Sequence, residues 1–290
     1  MVSERRLDVS VIVPARNAAA TIGDQLEALS QQVTGRSWEV IVVDNDSDDD
    51  TLAVAEQYRD RFARFSALRA DDVRGSGHAR NTGAAHASGC ALLFCDADDV
   101  VTSGWIDALT GALARYDAVG GPLDEATLND TITRAMRHPL VTDELPLVMG
   151  FRRAVTSNCA VRADVFESLG GFDETYPASI DTEFFIRLQV MGHSLGFTPD
   201  AVVQLRHGDD VRTILRKLYR WDMTRPRLYA QYRRHGATRN LWLGPAKWAW
   251  LLACSFYLIL SREKRMRWLA IAVRSYGRVV GSARHRTLFL

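Results

Sequence analysis

Residues 89–100 read GCALLFCDADDV, an apolar run that passes directly into a group of acids. Ala91 to Cys95 is wholly apolar, and five residues are too few for a stable helix, so the run predicts a buried β-strand. Three carboxylates follow at once between Asp96 and Asp99. A strand of this kind is typical of a sheet that helices cover on both faces, which indicates an α/β protein.

Earlier segments repeat the pattern of a strand followed by a helix. Strands are predicted at Val9–Val13, Trp38–Val43 and Phe65–Leu68, and helices at Thr21–Gln32, Thr51–Arg61 and Ser76–His86. Such alternation predicts right-handed crossovers and a mostly parallel sheet. Ligands of open α/β sheets bind at the carboxyl ends of the strands, so the loops at Pro14, Asp44 and Asp96 should converge on one pocket.

The remainder of the first 207 residues is less regular. The segment from Gly120 to Val155 predicts irregular loops that could bind a ligand, with a short helix around Thr131 to Arg137. Regular patterns return as strands at Ser157–Val161 and Ala201–Leu205 and as helices at Ala163–Leu169 and Asp181–Met191. We therefore expect one domain over residues 1–207 and a separate helical tail over residues 208–290.

Charge divides the chain close to this boundary, after Asp200. The net charge of +1 combines 19 Lys and Arg against 4 Asp and Glu after Asp200 with 17 basic and 31 acidic residues before it. A basic tail favours nucleic acid or an anionic membrane surface as a partner. The acidic body would need metal ions or local cations to bind an anionic ligand.

An apolar stretch in the tail adds to this pattern. Trp248 to Leu260 is almost entirely apolar and has basic residues on both sides. A membrane-spanning helix needs about 20 apolar residues, so the stretch is marginal, and its two basic flanks favour an interfacial or re-entrant segment. Packing on the domain over residues 1–207 or a homodimer interface is the alternative.

The cysteines and the amino terminus bear on location. The four cysteines form no C-x-x-C pair, and MVSERRLDVS lacks the apolar stretch of a signal peptide. We expect a cytoplasmic protein, peripheral on the inner face of the cell membrane if the tail binds lipid.

Several polar residues have both a functional and a structural interpretation. Asp44 ends a predicted strand and can bind a nucleobase or ribose, or it can belong to a solvated turn. Arg80 can present its guanidinium to a diphosphate or form an ion pair. The acids of DADD can bind magnesium or manganese or cap a loop. Asp181 can act as a general base or complement a helix dipole, and His207 can be a ligand or a structural residue.

The motifs taken together resemble family 2 glycosyltransferases of the GT-A fold. The segments that carry the resemblance are VSVIVPARNAAATI, EVIVVDNDSDDDT, GHARNTGAAHASGCALLFCDADDV and LGGFDETYPASIDTEFFIRL, within residues 8–207. The family implies inverting transfer of a sugar from a nucleotide-diphosphate sugar with a divalent metal, Mn²⁺ or Mg²⁺.

The resemblance also implies roles for particular residues. The nucleotide site would comprise Pro14, Ala15, Arg16, Asn17, Asp44, Asn45, Arg80, Asp96 and Ala97. Asp98 and His207 would bind the metal, and Asp181 would be the general base. Arg16, Asn45 and Ile180 depart from residues that are frequent in the family. Ile180 replaces a frequent Glu, which leaves Asp181 as the only acid of that pair and Glu183 as the next candidate base.

Other classes of protein explain the sequence less well. A nucleic-acid-binding module would account for the basic tail but not for the acidic loops, so we expect no nucleic-acid partner. A dinucleotide oxidoreductase would need a glycine fingerprint that GSGHARN does not match. A non-catalytic sugar-nucleotide-binding protein is the alternative. The tail lacks Q-x-x-R-W, the motif of processive synthases, which favours transfer of a single sugar to an amphipathic or lipid-linked acceptor.

Overall fold

The structure, a computed structural model, describes residues 7–130, 134, 143–207 and 210–289. The strands are β1 (Leu7–Ala15), β2 (Trp38–Asp44), β3 (Phe65–Arg69), β4 (Gly89–Cys95), β5 (Val100–Val101), β6 (Ala118–Gly120), β7 (Leu123–Asp124), β8 (Leu147–Val148), β9 (Phe151–Arg152), β10 (Asn158–Arg162), β11 (Leu195–Phe197) and β12 (Val203–Gln204). The α-helices are α1 (Ile22–Ser30), α2 (Thr51–Glu56), α3 (Ser76–His86), α4 (Trp105–Ala112), α5 (Ala163–Ser168), α6 (Ile180–Val190), α7 (Val211–Tyr232), α8 (Leu243–Ala253) and α9 (Arg262–Arg284).

Seven strands form the central sheet, in the order β11-β6-β10-β4-β1-β2-β3. β1 pairs in parallel with β2 and β4, and β2 pairs in parallel with β3. β10 runs antiparallel between β4 and β6. The predicted mostly parallel α/β sheet is confirmed. The reversal at β10 was not predicted, because the periodicity of a strand carries no information about its direction.

The sheet is buried on both faces. Along β1, Val11 and Val13 pack in one hydrophobic cluster and Ile12 packs in the other. In β4, Leu93 and Phe94 divide between the same two clusters. Successive side chains of a strand point to opposite faces, so an unbroken apolar run is what a strand with helices on both sides requires.

Some predicted elements have different bounds in the structure. The helix expected to reach Arg61 ends at Glu56 and is followed by a 3-10 turn, where the Arg59 side chain donates to the carboxylate of Glu56 and to the carbonyl of Phe65. The strand expected over 201–205 is the two-residue β12, which pairs with β5 and β7. The short helix predicted around 131–137 lies, apart from residue 134, outside the described residues.

The tail consists of helices that pack on each other and on the sheet domain. Ile214 and Leu218 of α7 pack against Met266 of α9. Farther along α7, Leu228 joins a cluster with Ile186 of α6. In the part of the chain that the structure describes, no helix combines the length and apolar character needed to cross a membrane. The boundary between residues 207 and 208 stays a prediction.

Candidate active site

Three carboxylates at the carboxyl end of β4 form the acidic centre of the site. The ligand oxygens of Asp96, Asp98 and Asp99 all lie within 4.8 Å of one another. The backbone N–H of Arg206 donates to Asp99 Oδ1 at 2.8 Å. Asp99 Oδ2 is buried and has no hydrogen-bond partner among the described residues. Because a buried carboxylate oxygen without a partner is costly, this atom is a natural cation ligand.

The pKa values of Asp98 and Asp99 are raised because the carboxylates are buried and lie close to one another. Burial raises the pKa of Asp98, and the charge of Asp96 raises it further, against the opposing effect of Lys217. Burial and the charges of Asp98 and Asp96 raise the pKa of Asp99 well above its usual value. A divalent cation would replace this repulsion with attraction, and ligand sets made only of oxygen suit Mg²⁺ or Mn²⁺. The triplet therefore fits a divalent cation.

Arg80 lies behind the triplet. This side chain of α3 is buried, forms an ion pair with Asp96, and donates from Nη1 to the carbonyl of Ser76 at 3.0 Å. A Cβ on Gly83, one turn later, would lie 2.5 Å from Ile12 Cγ2, so the glycine lets α3 approach the sheet closely enough for this contact. The predicted pair of Arg80 and Asp96 is thus brought together, with Arg80 holding the Asp96 carboxylate.

The loops after β1 and β2 lie side by side. Of the three loops predicted to converge on one pocket, however, only the loop at Asp96 lines the cavity described below, and Pro14 and Asp44 do not. Ala15 and Asp44 are partners in the register of the two strands. Asp44 is buried and accepts a hydrogen bond from Ser47. Asn17, at φ +49°, donates its backbone N–H to Ser47 Oγ, and its side chain accepts from the N–H of Asp48. Of the predicted nucleotide residues, Ala15, Asn17 and Asp44 therefore lie on two connected loops.

The side chain of Asn45 makes its hydrogen bonds to backbone groups of a neighbouring loop. Its side chain is buried, donates to the carbonyls of Ala70 and Val73, and accepts from the N–H of Gly75 at 2.7 Å. These bonds connect the end of β2 to the loop that precedes α3. Asn45 thereby shapes the loop that leads to Arg80.

A cavity of about 390 Å³ lies next to the triplet. Asp181, in the first turn of α6, and Asp98 both line it. Arg153 Nη1 lies 3.3 Å from Asp181 Oδ2, and the backbone N–H of Thr182 donates to Oδ1 at 2.7 Å. These two contacts orient the carboxylate. The structure thus brings Asp98 and Asp181 to one cavity from opposite halves of the domain sequence.

Glu183 lies in the protein core. Its side chain is fully buried, forms an ion pair with Arg187 at 2.9 Å and accepts a hydrogen bond from Tyr232 Oη at 2.6 Å. Tyr232 belongs to α7, so this contact connects the tail to α6. Glu183 is therefore a structural residue in this environment, and Asp181 is the acid that faces the cavity.

His207 also lines the cavity. Its Nε2 lies 3.1 Å from Glu125 Oε1, and its backbone N–H donates to Asn129. Among the described residues, the cluster with metal-ligand geometry contains the three aspartates and not His207. Its role as a metal ligand stays a prediction.

Basic residues line the other part of the cavity. They are Arg153, Arg206, Lys217, Arg225 and Arg274. The last three come from α7 and α9, where the sequence predicted a membrane-facing or dimerising surface. The one available signal was Asp222, the single acid of α7 in a segment rich in arginine.

This combination of fold and site is that of a GT-A-like protein, with an acidic centre at the end of a central strand and a cavity beside it. The solved structure of the mannosyltransferase PcManGT from Pyrobaculum calidifontis, in complex with GDP-Man and Mn²⁺, has a similar fold. Its TM-score is 0.70 at 20% sequence identity, over 94% of this chain and 87% of that one.

Comparison of sequences identifies the family. The sequence model of Glycosyl transferase family 2 matches residues 10–170, and that of Glycosyl transferase family group 2 matches residues 92–276. The chain therefore belongs to glycosyl transferase family 2, a family of transferase enzymes, and the predicted resemblance is confirmed.

Two curated relatives differ in how much of their length is matched. Glycosyltransferase AglE from Haloferax volcanii is 34% identical over 199 residues, which is 67% of this chain and 65% of that protein. UDP-Glc:alpha-D-GlcNAc-diphosphoundecaprenol beta-1,3-glucosyltransferase WfgD from Escherichia coli is 36% identical over 92 residues, which is 32% of this chain and 35% of that protein. The chain thus spans less than two thirds of either relative.

Proposed function

We propose that this chain is an inverting glycosyltransferase that moves one sugar from a nucleotide-diphosphate sugar to an acceptor hydroxyl. The observation that carries the proposal is the single cavity lined by both Asp98 and Asp181. A cation site beside a carboxylate provides for the two charges that change during such a transfer, one on the leaving diphosphate and one on the attacking oxygen.

In this mechanism Asp181 is the general base. The acceptor oxygen bonds to the anomeric carbon from the face opposite the leaving group, and the bond from that carbon to the diphosphate oxygen breaks. The electron pair leaves with the nucleotide diphosphate, and the acceptor proton passes to the Asp181 carboxylate. Arg153 and the Thr182 N–H hold that carboxylate in position.

Asp98, with Asp96 and Asp99, would hold a divalent cation. When bound, this cation would neutralise the charge that develops on the departing diphosphate. Arg80 supports the site by fixing Asp96. The solved PcManGT structure is a complex with GDP-Man and Mn²⁺, which supports a nucleotide sugar and a metal for this chain as well.

The nucleotide would bind at the adjoining loops after β1 and β2. These loops carry Pro14, Ala15, Arg16, Asn17 and Asp44. Asp44, at the end of β2, would contact the base. Arg16 is exposed and would be available to a ligand at the surface of the loop.

The proposal is tested by replacing Asp181 with Asn. Loss of a general base lowers turnover by about 10²-fold or more, whereas binding of a nucleotide diphosphate should stay nearly unchanged. Turnover with a panel of sugar nucleotides and calorimetric nucleotide binding are the two measurements. The matched control is Asp164→Asn, because Asp164 also lies in the first turn of a helix and pairs with an arginine at 3.0 Å but is exposed. Unchanged turnover in the Asp181 variant would exclude it as the base, and a wild type that binds nucleotides without turnover would indicate a non-catalytic binding protein.

We further propose that the tail brings the enzyme to an anionic membrane surface and to a lipid-linked acceptor. Trp242, Leu252, Phe256 and Ile259 are exposed by 84, 76, 52 and 85%. The exposed basic residues at the start of α9 follow directly. Basic residues near an anionic bilayer contribute up to about 1 kcal/mol each. The name of WfgD specifies an acceptor carried on diphosphoundecaprenol, which supports an acceptor of this class.

Flotation with vesicles tests the membrane role. The wild type should float with vesicles that contain phosphatidylglycerol at low salt, and less at high salt, since screening weakens the attraction. The double variant Phe256→Glu, Ile259→Glu should lose flotation. Val33→Glu is the control, because Val33 is 89% exposed on the loop after α1. A wild type that stays in the soluble fraction and sediments as a dimer would replace the membrane role with dimerisation.

A further inference from the structure

The basic part of the cavity is organised around one buried acid. Asp222 is 1% exposed and forms ion pairs with Arg225 at 3.2 Å and with Arg274 and Arg278 at 2.7 Å. We call these three arginines the arginine cluster. Burial would raise the pKa of Asp222, but the three guanidinium groups outweigh it and hold that pKa well below its usual range. Asp222 is therefore a fixed negative charge that positions three cations.

One carboxylate does not neutralise this group of cations. The arginine cluster has an excess of two positive charges over Asp222. Lys247 of α8 lies close enough that burial, with the nearby arginines, lowers its pKa to about 8. Burial and the charges of the other two arginines likewise lower the pKa of Arg225 to about 10. An anion bound here would relieve this repulsion.

Two of the three arginines are accessible from the cavity. Arg225 and Arg274 line it, whereas Arg278 is behind them. Each member of the cluster uses Nε to bind Asp222. For Arg225 and Arg274, the Nη atoms have no hydrogen-bond partner among the described residues. A planar guanidinium with free Nη atoms is suited to the oxygens of a phosphate group.

The arginine cluster lies on the side of the cavity that contains Asp181, the proposed general base for the acceptor. Arg225 lines the same cavity as Asp181 and Arg153, the residue that pairs with Asp181, and the charge of Arg153 contributes to lowering the pKa of Arg225. The acidic triplet, in contrast, belongs to the sheet domain and is suited to a cation and the donor diphosphate. An anion at Arg225 and Arg274 would therefore lie on the Asp181 side of the cavity.

We propose that Arg225 and Arg274 form a binding site for a phosphate group of the acceptor, which places the acceptor hydroxyl next to Asp181. This inference rests on the proposed function, because it assigns the class of acceptor: a hydroxyl compound that carries a phosphate or diphosphate. A lipid-linked acceptor and a soluble sugar phosphate share this chemistry.

Calorimetric titration with inorganic phosphate tests the site without turnover. EDTA in the buffer removes cations from the aspartate triplet, so binding of phosphate then reports on the arginines. We expect binding to the wild type and an affinity lower by about tenfold or more in Arg225→Gln and Arg274→Gln, because each loses charged hydrogen bonds. Arg274→Lys keeps the charge without the planar fork and should be intermediate, and thermal unfolding shows whether each variant folds.

Arg278→Gln is the matched control. Arg278 binds the same carboxylate but does not line the cavity, so this variant loses one nearby charge and no phosphate contact and should lose clearly less affinity than Arg274→Gln. Equal losses in the Arg278 and Arg274 variants, or no binding to the wild type, would overturn the site and leave the cluster a structural link between α7 and α9.

Steady-state kinetics then separate the acceptor from the donor. In Arg274→Lys the KM for a phosphorylated acceptor should rise, by up to about tenfold, the KM for the donor should not change, and an acceptor without phosphate should show no difference from the wild type. A rise in the donor KM alone would overturn the assignment to the acceptor. If no acceptor is turned over at all, the proposed function fails, while the phosphate titration still decides whether the site exists. Comparing an isoprenoid-linked with a water-soluble sugar phosphate as acceptor distinguishes the two sources.

Discussion

Replacing Asp98 with Asn should change stability in opposite directions with and without a divalent metal. Asn keeps the shape of the side chain and removes its charge. Without metal, the variant relieves repulsion between Asp98 and the other two acids of the triplet, whose ligand oxygens lie within 4.8 Å. With metal, it removes a charged ligand. The free energy of unfolding should therefore exceed that of the wild type in EDTA and fall below it in Mn²⁺.

The distances set the size of the effect. Two unit charges about 4.8 Å apart repel by about 1 kcal/mol in water and by about 3.5 kcal/mol at an effective dielectric constant of 20. Using the lower figure, each 1 kcal/mol shifts the midpoint of thermal unfolding by about 2 to 4 °C in a chain of this size. Metal at a hundred times its dissociation constant would stabilise the wild type by about 2.7 kcal/mol.

Thermal unfolding in EDTA and in a series of Mn²⁺ concentrations provides the measurement, with Asp164→Asn as the control. We expect the Asp98→Asn variant to unfold at least about 2 °C above the wild type in EDTA and to respond little to Mn²⁺. The control should respond to Mn²⁺ as the wild type does. Calorimetric nucleotide binding should likewise depend on metal in the wild type and in the control, but not in the Asp98 variant.

Asp98 and Asp99 should also make the stability of the metal-free protein depend on pH, in a direction that follows from their pKa values. Because the folded-state pKa values of Asp98 and Asp99 are raised, the metal-free folded state binds protons that the unfolded state does not. In EDTA, the stability of the wild type relative to Asp98→Asn should therefore rise as pH falls from 7 towards the ordinary aspartate value of 3.8. An Asp98→Asn variant that is less stable than the wild type in EDTA, yet equally stabilised by Mn²⁺, would refute the reasoning.

Two other predictions concern the scaffold. Burial lowers the pKa of His78, but its hydrogen bonds to Glu174 and Asp72 outweigh that effect and raise the pKa above 6.5. The stability that protonated His78 adds should be complete below pH 6.5 and should be lost as pH rises through the folded-state pKa. In urea unfolding, the wild type should therefore lose its advantage over His78→Gln as pH rises, and an advantage that grows with pH would contradict this prediction. Gly83→Ala should destabilise the protein by about 1 to 3 kcal/mol through overpacking. The control Gly111→Ala should stabilise it by up to about 1 kcal/mol, because a Cβ at Gly111 meets nothing within 4 Å. Equal effects of the two variants in urea unfolding would contradict the close approach of α3 to the sheet.

The strands next to the site could be predicted because their signal is local. In β4, apolar character and the acids that follow it are adjacent in the chain, so burial and the candidate metal-binding carboxylates can both be inferred from residues 89–100. The same holds for the end of β2 at Asp44. Chain direction at β10 could not be inferred, because it depends on which neighbours that strand pairs with.

The roles of the two acids of α6 needed the tertiary structure. Asp181 and Glu183 are two residues apart, and either could be the base on sequence grounds. Two residues in a helix point in different directions, so one faces the cavity and the other faces Tyr232 of the tail. Only the packing of α7 against α6 decides which acid has which environment.

The amino-acid sequence by itself determined the α/β class, the acidic centre at the end of β4 and the family, because each depends on residues that are close together in the chain. The tertiary structure alone decided that arginines of the tail line the cavity. Asp222 and Arg274 are separated by 52 residues, and the hydrophobic pattern of each helix states only that it has a buried face. Which charges come together depends on how α7 packs against α9. In that packing the buried Asp222 forms ion pairs with the surrounding arginines and holds them in position.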